Sequence, residues 1–186
     1  MSNAEEIVDE KSVVDATILW LEKVVIGLNL CPFAKPIYVK NQIRFIVSHA
    51  SEWSGLLDDL KRELSLLVTA SPERIETTLL IHPHVLKDFV EYNDFLADCD
   101  LVIEEMELDG IVQVASFHPQ YQFAGTNIDD VTNYTNRSPF QMLHLLREES
   151  VTRAVESFPD VESIYQKNID VLKKLGKAGM ESLFRD

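Results

Sequence analysis

Histidine is the side chain best suited to move protons or to hold zinc or iron near neutral pH. Three of the five histidines in this 186-residue chain close apolar runs. His49 ends "QIRFIVSH", His82 ends "ETTLLIH" and His118 ends "IVQVASFH", and the last two are followed by Pro83 and Pro119. Proline lacks the backbone donor that a strand interior needs, so it belongs just past a strand end. Pro83 also suits the first turn of a helix. This accounts for the prolines but not for the histidines before them. If the three runs are parallel strands, the three imidazoles share one carboxyl edge, where open α/β sheets bind ligands. Neighbouring strands lie about 4.8 Å apart, so histidines on adjacent strands can converge, whereas strands two apart hold them about 10 Å away. They then serve as acid and base, or as ligands of a metal with an open position. The plainer alternative is that each only bonds to a loop. No short-spaced metal motif accompanies them, so the sequence names neither a metal nor a cofactor.

A second group follows in "TNRSPFQMLHLLRE". Ser138 with Gln141 three residues on has the spacing of a capping box, and Pro139 stands at the first helical position. A helix start offers free backbone donors to an anion, and Arg137 beside it supplies a bidentate fork for a carboxylate or phosphate. His144 lies one turn further along the expected helix. The candidate catalytic residues are therefore His118, His82 and Arg137, and the candidate ligand-binding residues are Arg137, Ser138 and His144. Between strand and helix, loop 119–136 has no helical period and carries Tyr121, Phe123 and Tyr134. A loop this long is a lid, a binding loop or an ordered cover, and its aromatics argue against disorder.

"LCPFAKP" resembles a redox tetrad in which a cysteine opens a helix whose N-terminus lowers the thiol pKa. Here a helix is expected before Cys31, and Pro36 forbids one after it. Cys31 is read as a buried thiol at a turn, and Cys99 as a helix-face core residue.

These residues need elements to carry them. A helix is expected over residues 9–28, with Val14, Ile18, Leu21 and Val25 on one stripe. Ile43, Phe45 and Val47 alternate as in a half-buried strand over 42–48. Ser51 is placed to cap a helix with Trp53, Leu56, Leu60, Leu64 and Leu67 on its stripe, stopped by Pro72. A strand over 77–82, a helical region from Pro83 to Met106 that breaks near Asn93, and a strand over 111–117 follow. Ser138 then opens a helix running towards Phe158, and Pro159 begins a last one that ends near Gly176. The pattern predicts an α/β fold: a small, mainly parallel three-stranded βαβαβ sheet with an N-terminal helix and two C-terminal helices. A ferredoxin-like antiparallel arrangement is the competitor. With "MSNA" set aside as a cloning remnant, residues 5–186 read as a single domain.

Asp and Glu number 31 against 17 Lys and Arg, for a formal net charge of −14. Such a surface repels phosphate backbones and anionic lipid, so neither nucleic acid nor membrane is expected as a partner. With no signal-like segment and no disulfide framework among its two cysteines, the chain reads as cytoplasmic. Its oligomeric state is not legible.

"GLNLCPFAKP", "SFHPQYQFAG" and "NYTNRSPFQMLHLLREESV" together resemble a bacterial family catalogued as domain of unknown function 1415. The resemblance covers nearly the whole chain and implies a single-domain protein of this length, but it carries over no reaction, cofactor or site residue. From the residues themselves, the first reading is an enzyme acting on a small anionic metabolite at the His/Arg site. A non-catalytic small-molecule-binding domain and a protein-interaction domain are the alternatives.

Overall fold

In the computed structural model, which describes residues 9–158, 160 and 162–184, one mixed sheet is flanked by helices on both faces. The order of elements is α1 (Glu10–Trp20), α2 (Ala34–Val39), β1 (Ile43–Val47), α3 (Trp53–Thr69), β2 (Thr77–Ile81), α4 (Phe89–Glu105), β3 (Val112–Phe117), β4 (Met142–Arg147), α5 (Glu148–Ser157) and α6 (Glu162–Ser182). Residues 5–8 of the expected domain and Pro159, the expected start of the last helix, lie outside the described residues. No described helix is long and apolar enough to cross a membrane.

The first three strands lie where the hydrophobic alternation predicts and run in the same direction. Among the described residues, however, the sheet has four strands in the order β1-β2-β4-β3. β1 pairs with β2 in parallel, and β4 is antiparallel to both β2 and β3. The α/β class stands, whereas the three-stranded, mainly parallel sheet is corrected.

The correction lies in "MLHLLR". The expected helix from Ser138 does not form; the chain crosses the sheet as β4, and helix begins only at Glu148. Inserted between two strands, this segment satisfies its backbone on both sides. It also buries Leu143 and Leu145 on one face and Met142 on the other, at no measurable exposure. That tertiary gain outweighs the helix propensity of Leu, Met and Gln. The capping box dissolves with the helix. Ser138 Oγ donates to Phe140 O at 2.6 Å, and Gln141 Nε2 donates to Val85 O at 3.0 Å.

Other boundaries move for local reasons. α4 begins six residues after Pro83 and continues unbroken through Asn93. It is capped by Asp88, whose Oδ1 accepts from the backbone of Val90 and Glu91. Glu52, not Ser51, occupies the cap position of α3. A short helix does follow Cys31, because Pro36 falls in the first turn of α2, where its missing donor costs nothing. α1 widens at its end into a π-helical turn (Leu21–Ile26), and α6 is kinked at Gly176, whose φ is +68°.

α3 and α4 cover one face of the sheet. Leu56, Leu60, Leu64 and Leu67 of α3 meet Leu80, Leu143 and Leu145 there. The spacing of those α3 leucines is the stripe read from the sequence. α1 with its widened turn and α6 cover the far end of the other face around Val47, Ile81 and Met142.

Candidate functional site

The carboxyl edge does collect histidines, but β4 lies between the strands that carry His82 and His118. The gap is filled by Tyr92 of α4, which has no measurable exposure. Its ring lies 5.7 Å from that of His82 and 5.1 Å from that of His118, between the two. The Tyr92 hydroxyl donates to Met142 O at 2.8 Å and accepts from Phe117 N at 3.0 Å, tying β4 to β3. Burial holds the phenol protonated, well above its ordinary pKa.

Both imidazoles are engaged with the loop that precedes α4. His82 Nδ1 lies 3.1 Å from Val85 O, so it carries the proton and leaves Nε2 as a buried lone pair without a partner. His118 Nδ1 accepts from Gln120 N at 3.0 Å and its Nε2 donates to Leu86 O at 3.3 Å. Burial pushes the pKa of His82 down to about 4 and lowers that of His118. These neutral rings pin Val85 and Leu86, the latter at the unusual φ of +58°. His49 stands apart at the surface, paired with Glu10. Among the described residues, no group of three or more His, Cys, Asp or Glu could hold a metal ion.

Arg137 and Ser138 border a different cleft, shared with Trp20, Pro119 and Tyr134. Arg137 donates from Nε to Tyr121 O at 3.1 Å and from Nη2 to Ile128 O, and its guanidinium lies 5.2 Å from the centre of the Tyr134 ring. Its carbonyl accepts from Trp20 of α1. Arg137 thus fastens loop 119–136 on the α1 side of the sheet, while His118 packs against α4 on the other side. With no helix starting at Ser138, the expected anion pocket lacks the feature that defined it. Loop 119–136 is held together by its own side chains. Buried Asn133 accepts from Phe123 N and Thr126 Oγ1 and donates to Asn127 O.

His144 belongs elsewhere again, in the row Leu79–His144–Ala115 on the α1 face of the sheet. Beside it lies the row Ile43–Thr77–Leu146–Gln113. Between these rows, α2, the widened end of α1 and α5 is a cavity of about 300 Å³. Trp20, Val25, Cys31, Phe117 and Val151 are among its walls; His144, Thr77, Gln113 and Ser150 are neutral polar points on its lining, and Glu76 and Arg147 border it too. α5 borders it through Val151, Ala154 and Val155, one apolar stripe on an otherwise polar helix, and Phe158 beyond it packs on Phe33 at 5.7 Å. Burial drives the pKa of His144 down to about 4 and that of the Cys31 thiol up, so both are uncharged at neutral pH.

Thr77, Gln113 and the new position of His144 escape a sequence reading that places His144 on a helix. A period-two reading of "MLHLL" would have found them. It sets His144 opposite the buried pair Leu143 and Leu145, on the face that also carries Thr77 and Gln113.

The fold and its cavity therefore define an α/β domain with an open mixed sheet, hollow on one face. The chain belongs to the DUF1415 family (protein of unknown function), whose model matches residues 12–182. No curated protein and no solved structure matches it.

Proposed function

We propose that the protein binds a small, mainly apolar molecule in the hollow between the α1 face of the sheet and α5. The observation that carries this reading is the cavity itself. A space of about 300 Å³, apolar on most sides and met by a handful of polar groups, has the size and make-up of a ligand site. The amphipathic α5 above it has no fully buried residue, so entry requires little of the core to move.

The test is a methyl-NMR titration with toluene. Expected are shifts of Leu21, Val25, Ile43, Leu146 and Val151, with Leu60 and Leu143 on the packed face unmoved. Shifts at none of the lining methyls, or equal shifts throughout the molecule, would sink the proposal.

A further inference from the structure

The polar point of the cavity specifies what it accepts, given the reading of the cavity as a ligand site. Thr77 Oγ1 lies 2.6 Å from Leu145 O and 2.7 Å from His144 Nε2. A carbonyl oxygen has no proton to give, so the single hydroxyl proton of Thr77 must go to Leu145 O. Oγ1 is then the acceptor from His144, and Nε2 carries the imidazole proton. The ring is part-buried on the cavity wall and its pKa is lowered to about 4, so it is neutral, which leaves Nδ1 as a bare lone pair. No described residue donates to Nδ1, and its ring neighbours are Leu79, Ala115 and, at 6.1 Å, Phe117.

We propose that the cavity takes a compact aromatic or alicyclic molecule of two-ring size bearing one hydroxyl or N–H group, with His144 Nδ1 as the acceptor of that donor. Size follows from comparison: an apolar cavity of about 150 Å³ holds benzene, and this one, at about 300 Å³, has room for two fused rings. Polarity follows from the tautomer. A ketone, ether or carboxylate would set lone pair against lone pair at Nδ1, and the Arg147 guanidinium on the same lining is engaged through Nη2 with Leu67 O, Ala70 O and Ile75 O. A hydroxyl meets Nδ1 with its proton and leaves the rest of the ligand to the apolar lining.

The experiment compares naphthalene, 2-naphthol, 2-methoxynaphthalene and 2-naphthoate by methyl-NMR titration of the whole chain at neutral pH. 2-Naphthol should bind roughly three- to tenfold more tightly than naphthalene, the range for one net hydrogen bond. The methoxy compound should fall back to the naphthalene level, and 2-naphthoate, which has no proton for Nδ1, should bind less tightly than 2-naphthol. In His144→Phe, naphthalene binding should persist and the naphthol preference should vanish. Should that variant not fold, the ¹⁵N resonance of His144 Nδ1 in the unaltered protein decides, because it should move with 2-naphthol and not with 2-methoxynaphthalene. Equal affinities for the three neutral probes, or tightest binding of naphthoate, overturn the donor assignment while leaving the cavity as a site. Failure of every probe to move the lining methyls defeats the cavity reading itself.

Discussion

Leu80, Leu143 and Leu145 on one face of the sheet and Leu79, His144 and Leu146 on the other come from the same two strands, one residue out of step. Their surroundings differ sharply. On the first side, two 17-residue helices lay continuous leucine and aromatic stripes across the strands. On the other, α6 covers the far end, and the rest is covered by a helix that widens to a π-helical turn, a six-residue helix and α5, which packs on β4. Long amphipathic helices can follow a sheet for its whole width, whereas short ones cover it in patches. The packed face supplies the stability that lets the other face stay hollow. His82 and His118 at the carboxyl edge belong to the first side, where they secure loops, whereas His144 belongs to the second and His49 pairs at the surface with Glu10 of α1.

The largest effect that would test this contrast is a truncation made once on each side. Leu143→Ala removes a fully buried side chain from the central strand of the packed face and should cost about 2–5 kcal/mol in urea unfolding. Val151→Ala in α5 removes two methyl groups that face an existing cavity, and should cost less than about 1 kcal/mol. Similar losses from the two substitutions would show that both faces are equally packed.

Much of the packed face was legible in the sequence, and most of the hollow one was not. The α3 stripe and the alternation at Ile43, Phe45 and Val47 have a single consistent period, so local pattern and tertiary demand coincide. "QMLHLL" has no such period. Its residues favour helix, Ser138 and Gln141 imitate a cap, and only the slot between β2 and β3 selects the strand. Missing β4 misplaced His144, Arg137 and Ser138 together, because each had been positioned by the helix. His82 and His118 were placed on the correct edge, but Tyr92, ten residues away from one and twenty-six from the other, fills the space between them. Nothing local in the chain announces that.

Acid should come next in size. His82 and His144 are both held near 4, below the ordinary imidazole value. Above about pH 6.5 the ring is neutral folded or unfolded, and neither residue affects stability. As pH falls from there towards 4, the unfolded chain binds protons that the folded one refuses, and stability is lost. Between pH 7 and 5, His82 should account for about 2 kcal/mol and His144 for no more than that. His118, lowered by burial too, adds in the same direction. In His144→Phe the loss between those pH values should shrink, and urea titrations at pH 7 and pH 5 measure the difference. An unchanged loss would mean that the hollow admits enough water to leave His144 near its ordinary value, in contrast to His82 on the packed side.

The smallest effect on stability should accompany the largest effect on binding. Ala154 sits in the apolar stripe of α5 and borders the cavity. Replacing it with leucine keeps helix propensity nearly constant and adds three carbons directed at empty space rather than at packed neighbours. On the packed face an added group of that size forces strain of about 1–3 kcal/mol. Here the new side chain buries apolar surface without displacing anything, so unfolding free energy should change by less than about 1 kcal/mol and in the stabilising direction. The same carbons occupy the volume that toluene or 2-naphthol needs, so binding of either probe should fall at least tenfold. Calorimetric unfolding and the methyl-NMR titration measure the two halves on one protein sample. A variant as stable as the parent that still binds the probes would place their site outside the hollow, and one that unfolds readily would show that the space beneath α5 is already filled.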